Sequence, residues 1–163
     1  MQALTLERLK KAGWYEGRKI DISEMEEMYK KGKLPMPQNV KKFLEEFGNL
    51  RFEDKDRDDD ISFVIDNLIG NPGFDYEYYY EILRDFDINI TVYPIGIACR
   101  KNMIVIMDEN NHFYYWTEYC LLRIGKNIDE MLDCKVGELS RGEYIINSDE
   151  MYYDLIDEKY IMK

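Results

Sequence analysis

The chain has 163 residues and a formal charge of −11, from 33 Asp and Glu against 22 Lys and Arg. That balance argues against a surface for the phosphate backbone of nucleic acid, which recruits Lys and Arg; the 45% of apolar residues argues against disorder. One domain that buries its own core, with no need of a disulfide or metal, is the expectation at this length. Cys99, Cys120 and Cys134 are widely spaced, form no CxxC, and sit in apolar-rich stretches, so they read as small core residues of a reducing compartment. The N-terminal stretch carries Glu7, Arg8, Lys10 and Lys11 and has no apolar core of the kind a signal peptide needs, and no apolar run approaches the ~20 residues that span a bilayer, so a cytoplasmic protein with no membrane contact is expected.

In chain order, Thr5 is placed to cap a first helix, with Leu4 and Leu9 as a hydrophobic staple and Gly13 as its end. GWYEGRKIDI at 13–22 is too rich in glycine and charge for a helix. Ser23 with Glu26 reads as a capping box, followed by Met25, Met28 and Tyr29 on one face and a stop at Gly32. Pro37 suits a first helical position. Val40, Phe43, Leu44 and Phe47 then fall at i, i+3, i+4, i+7, with Gly48 as terminator. Leu50–Glu53 and Ile61–Ile65 read as strands on either side of the acidic run EDKDRDDD. Asp75 is placed to cap a helix whose buried stripe is Tyr79, Ile82, Leu83 and Phe86.

The densest β-forming stretch, Tyr93 to Ile124, follows. Met103–Met107 is apolar at every position, which marks a central strand covered on both faces. Asp108–Asn111 has turn composition, and Pro94 with Gly96 marks an edge or bulge. The reading is an α+β fold: a mostly antiparallel meander centred on residues 91–124 with flanking helices. Asn127 with Glu130 forms the start of a short helix carrying Met131 and Leu132 inward, and Gly137 lies past its end. Ser140–Lys163 is acidic and rich in tyrosine, and Met151–Tyr160 is assigned as a last helix.

GWYEGRKIDI, FLEEFGNL (43–50), YPIG (93–96), DENNHFY (108–114) and RIGKNIDEML (123–132) occur in this order. The series resembles the SUKH superfamily of bacterial immunity proteins, and most closely its third subfamily, from about Leu6 to Gly142. Gly13, Trp14, Gly17, Arg18, Gly48, Pro94, Gly96 and Gly125 are the structural positions of these motifs. Asn111 stands where the family's turn usually carries glycine, which asks an asparagine to adopt the left-handed conformation it tolerates. The resemblance implies one SUKH-like domain over 1–142, with 143–163 an extension packed on it. It also implies a cytoplasmic protein that binds and blocks a cognate toxin, with no catalytic residue, metal or cofactor. Partners across the superfamily are often nucleases.

Two clusters are candidates for the partner surface. In an extended chain, Asp54, Asp56, Asp58 and Asp60 would project from one side about 6–7 Å apart, a row that imitates a phosphate backbone; Asp59 adds to the charge. The same residues also read as a solvated loop. A calcium loop fails, because Asp59 stands at the required glycine and Ile65 at the bidentate glutamate. The second cluster is Tyr78 with Glu81, which helical spacing leaves on the charged face beside Asp85. Rings there supply binding energy, and carboxylates supply association rate. Trp14 reads as a plug at the edge of the core, and His112, alone at a turn, makes neither metal site nor triad.

Neither GxGxxG nor a Walker loop is present, and Ser140 is wrongly placed for a nucleophile elbow. The function that the resemblance implies is neutralisation of a toxin, a nuclease by the family's habit, by covering its active site. A scaffold of the same fold, or a metal-dependent hydrolase using Glu53 and Asp54, are the alternatives.

Overall fold

The structure, a computed structural model, describes residues 1–53, 60–65, 76–117, 120–137, 143–146, 151–154 and 159–162. Helix α1 (Ala3–Lys11) ends at Gly13, whose φ of +102° a side chain would resist. Thr5, expected at the cap, lies inside this helix and is fully buried. Its hydroxyl donates to Asp133 Oδ1 at 2.5 Å, a partner 128 residues away that local reading does not reach. Helix α2 (Ser23–Lys31) buries Met25 and Tyr29. Its expected capping box is replaced: Asp21 Oδ1 accepts both the Ser23 N–H and hydroxyl, and Glu26 pairs with Lys41. An ionised acceptor wins because charge-assisted bonds are the stronger ones.

Helix α3 (Gln38–Phe47) follows Pro37 directly and buries Val40, Phe43, Leu44 and Phe47, the predicted stripe. Phe43 is the hub of an aromatic cluster, with ring centroids 5.2 Å from Phe47, 5.0 Å from Phe63 and 5.4 Å from Phe113. Such offset and edge-on pairs add about 0.5–1.5 kcal/mol each to the area they bury.

The sheet is built from β1 (Arg51–Phe52), β2 (Ile61–Ser62), β3 (Val92–Ala98), β4 (Met103–Asp108), β5 (Phe113–Thr117), β6 (Cys120–Gly125) and β7 (Glu143–Ile146). Among the described residues these seven strands pair antiparallel in sequence order, so the meander extends on both sides of the predicted stretch. β3 bulges between Pro94 and Gly96. A Cβ on Gly96 would sit 2.2 Å from the Ser62 carbonyl oxygen, so the β2–β3 approach requires glycine. β2 is shorter than the predicted Ile61–Ile65, because Phe63 turns to exchange backbone bonds with Asn49 and Leu50.

Parity along β4 and β5 assigns the layers. Val105 and Met107 pair with Tyr115 and Phe113 on one face; Ile104 and Ile106 pair with Trp116 and Tyr114 on the other. Phe113 meets Phe43 of α3, and the Tyr115 ring lies 4.5 Å beneath Lys135 Nζ of α5 (Ile128–Lys135). Trp116 meets Tyr79 of α4 (Tyr76–Asp85). Helices α3 and α5 therefore cover one face, and α4 covers the other. α1 joins the first layer through Thr5 and through Arg8, which donates to the Val136 carbonyl. α5 starts as predicted, with Asn127 Oδ1 accepting the Glu130 N–H at 2.9 Å.

The C-terminal helix is a correction. Met151–Asp154 forms β8 and Lys159–Met162 forms β9, an antiparallel pair with Tyr153 opposite Tyr160. Both segments are dominated by β-forming residues, and pairing gives their backbone groups the partners that a helix would otherwise supply.

Candidate interaction surface

Helix α4 carries the predicted aromatic and acidic face. Tyr79 and Leu83 point into the sheet, while Glu77, Tyr78, Glu81, Arg84 and Asp85 are exposed. Tyr78 is 42% exposed, and its ring meets that of Tyr79 edge-on with centroids 6.1 Å apart. Glu81 lies 4.0 Å from Arg84, one cation among three carboxylates on this face. Ile82 and Phe86, predicted as part of the buried stripe, are half-buried.

Of the acidic run, Asp54, Asp56, Asp58 and Asp59 lie outside the described residues, as does Asp75. Asp60 is half-buried and ties down the β3–β4 turn. Its carbonyl accepts the Cys99 N–H at 2.9 Å, and its carboxylate accepts the Arg100 N–H at 2.6 Å. Cys99, Arg100 and Lys101 all have positive φ, of 51°, 55° and 69°, so this anchor holds a turn that L-residues resist.

The 13–18 loop is tied to α3 through two side chains. Trp14 is partly buried and donates from Nε1 to Glu46 Oε1 at 3.1 Å. Arg18 donates to the Glu46 carbonyl and, at 2.9 Å, to the Gly48 carbonyl. Gly48 and Gly125 both sit against backbone, with a hypothetical Cβ 2.3 Å from Leu44 O and 2.5 Å from Met131 N.

Three features escaped the sequence reading. Tyr15 stands 59% exposed between the inward-held Trp14 and Arg18. Asp133 collects bonds from Thr5 and Gln2, and the terminal amine lies 3.6 Å away. Burial opposes its ionisation, but those donors together hold its carboxyl below the ordinary value. Asp108 is buried at the β4–β5 turn and accepts from the Asn110 and His112 N–H groups and the Tyr114 hydroxyl, with His112 Nδ1 at 3.0 Å. Burial, then the Asp108 charge, push the Tyr114 phenol well above its usual value. Asn111 adopts φ +66°, the left-handed conformation expected of it. Only the turn composition hinted at this hub; nothing local pointed to Asp133.

Charge is unevenly divided along the chain. Residues 1–53 hold 11 basic and 9 acidic side chains, and residues 54–163 hold 11 and 24. Among the described residues no group of three or more His, Cys, Asp or Glu is arranged to hold a metal, and no helix is long and apolar enough to cross a membrane.

Fold and surface together define an α+β protein on an antiparallel meander, with the Tyr78 ring and carboxylates displayed on the outer side of α4. Comparison with known proteins makes the assignment specific. The model of the SUKH-3 immunity protein family matches residues 1–138, and the chain belongs to that family, the subfamily that its motifs resemble. A stretch of 47 residues is 43% identical to part of the type II restriction enzyme MjaIII of Methanocaldococcus jannaschii. It covers 29% of this chain and 16% of that enzyme. No solved structure matches the chain.

Proposed function

We propose that this chain neutralises a cognate protein toxin, a nuclease domain, in the cytoplasm by occupying the surface that the toxin needs for its substrate. The SUKH-3 match over residues 1–138 is the observation that carries the reading. The charge of −11 supports it, because an acidic protein is drawn to the basic cleft of a nuclease. Asp54, Asp56, Asp58, Asp59 and Asp60 would steer the approach, and Tyr78 with Glu81 would hold the docked state. The 143–163 extension belongs to the same body as 1–142 in this reading.

Co-expression tests it. Cells that carry the toxin domain encoded beside this chain should grow only when the chain is present, and the two should co-purify. Growth arrest despite expression of the chain, with no complex, would end the reading. A second reading is a metal-dependent hydrolase using Glu53 and Asp54. Divalent-metal binding by calorimetry, abolished in Glu53→Ala, is its signature; its absence removes that reading.

A further inference from the structure

We propose that the groove between α3 and the start of α5 is a second docking site, which takes an extended segment of the partner carrying a Lys or Arg. The partner is the toxin of the reading above, on which this inference rests.

The groove holds about 740 Å³, a volume typical of binding sites. Its floor is Phe43 of α3 and Met107 of β4, and Ile128 of α5 closes one side. Carboxamides form the rim: Gln38 and Asn39 in the first turn of α3, Asn111 in the β4–β5 turn, and Asn127 at the cap of α5. An apolar floor under a rim that both donates and accepts suits a peptide main chain, whose N–H and C=O groups need partners once they leave water.

Two of these amides are already fixed. Asn39 Nδ2 donates to the Asp108 carbonyl and to Asn111 Oδ1, each at 3.2 Å. Asn39 Oδ1 then remains as an acceptor and Asn111 Nδ2 as a donor, neither with a partner among the described residues. The pair is held between α3 and the turn of the buried Asp108, so engaging it carries little ordering cost. The turn itself does not ask for this side chain. Asn111 has φ +66°, which suits glycine better, and its backbone N–H already donates to Asp108 O at 3.2 Å. What the asparagine adds is the tie to Asn39 and a donor on the rim.

Charge selects the occupant. Lys42 and Glu46 stand on the α3 wall, Asp129 on the α5 wall. Glu46 is engaged by Trp14 Nε1. Asp129 is 62% exposed and lies 3.4 Å from the terminal amine, which Asp133 shares at 3.6 Å. One cation between two carboxylates leaves that wall negative. A segment with its cation toward Asp129 and its carbonyl groups toward Lys42 fits both walls, and basic segments are what a nuclease domain offers.

The test measures affinity of the purified chain for the neighbouring toxin domain, with wild type, Gln38→Trp, Asn111→Gly and Asp129→Asn. Thermal melting establishes that each variant is folded, as expected for exposed positions and for glycine at a positive φ. Gln38→Trp sets a ring in the groove and should weaken binding by about tenfold or more, chiefly through faster dissociation. Asn111→Gly should weaken it severalfold, and Asp129→Asn should reduce both affinity and its dependence on salt. Binding of folded Gln38→Trp within about twofold of wild type would overturn the groove site while leaving the immunity reading intact. Failure of the wild-type chain to bind would overturn both. Sedimentation of the chain alone covers the other occupant: a dimer that Gln38→Trp abolishes would assign the groove to a second copy and overturn the proposal.

Discussion

Tyr78 and Tyr79 are consecutive residues of α4 that face opposite media. Tyr78 is 42% exposed, whereas Tyr79 is 7% exposed with its ring 5.1 Å from Trp116 of β5. The two tyrosine rings also touch edge-on, so the outer face of the helix is backed by the core through one aromatic contact. A partner that presses on Tyr78 meets a supported ring.

The contrast has a direct consequence for stability. Tyr79→Ala removes a buried ring from the α4–sheet seam and should cost about 3–5 kcal/mol. Tyr78→Ala removes a ring that is 42% exposed and loses its edge-on contact with Tyr79, and should cost only about 0.5–1.5 kcal/mol. Chemical denaturation of the two variants checks the orientation of α4, and equal losses would contradict it.

Gly96→Ala places a methyl group 2.2 Å from the Ser62 carbonyl oxygen and 3.0 Å from Phe63 Cα, both backbone atoms that no rotamer change can move. The loss should reach about 3 kcal/mol, at the top of the range for overpacking. Lys101→Gly works the other way. Its φ of +69° suits glycine, and the variant should gain a few tenths to about 1 kcal/mol. Shifts in denaturation midpoint of opposite sign are the readout.

Asp133 governs an acid-side effect. Its folded-state carboxyl lies below the ordinary value of 3.8, so it contributes stability above that value and loses it as pH falls through the folded pKa. Asp133→Asn should therefore be less stable than wild type at neutral pH, with the gap closing as pH drops below 3.8. A gap independent of pH would place the effect in packing alone.

Tyr114 governs the alkaline side. Its phenol titrates far above the usual 10.0 in the folded state because it is buried against Asp108. Unfolding frees it to ionise, so its contribution falls as pH rises above 10.0. Tyr114→Phe should cost about 1 kcal/mol at neutral pH, the worth of one hydrogen bond, and should flatten the alkaline loss of stability. Asp108→Asn should cost more, because the amide keeps Oδ1 for the two backbone donors but replaces the Oδ2 acceptor of the Tyr114 hydroxyl by a donor, and all the bonds lose their charge assistance.

How far the sequence carried this picture depended on how local the controlling contacts were. The α3 stripe, the Pro94/Gly96 bulge, the Asn127 cap and the left-handed Asn111 are set within a few residues, and each was legible. Thr5 and Ser23 were misassigned as caps because their partners, Asp133 and Asp21, compete from outside the capping pattern. The β8–β9 pair was mistaken for a helix because tyrosine and methionine spacing reads ambiguously without the strand partner in view. Tyr78 was legible from helical spacing. Tyr15 was not, because its exposure follows from where Trp14 and Arg18 find their partners.

The most direct measurement is a titration of the toxin's activity with this chain, followed by recovery of both proteins. If inhibition works by occupying a surface, activity should fall linearly to zero at one equivalent, and denaturing separation should return a toxin of unchanged mass that regains activity on refolding. Loss of activity at a small fraction of an equivalent, or recovery of a cleaved or modified toxin, would mean that the chain acts by chemistry and would contradict the account.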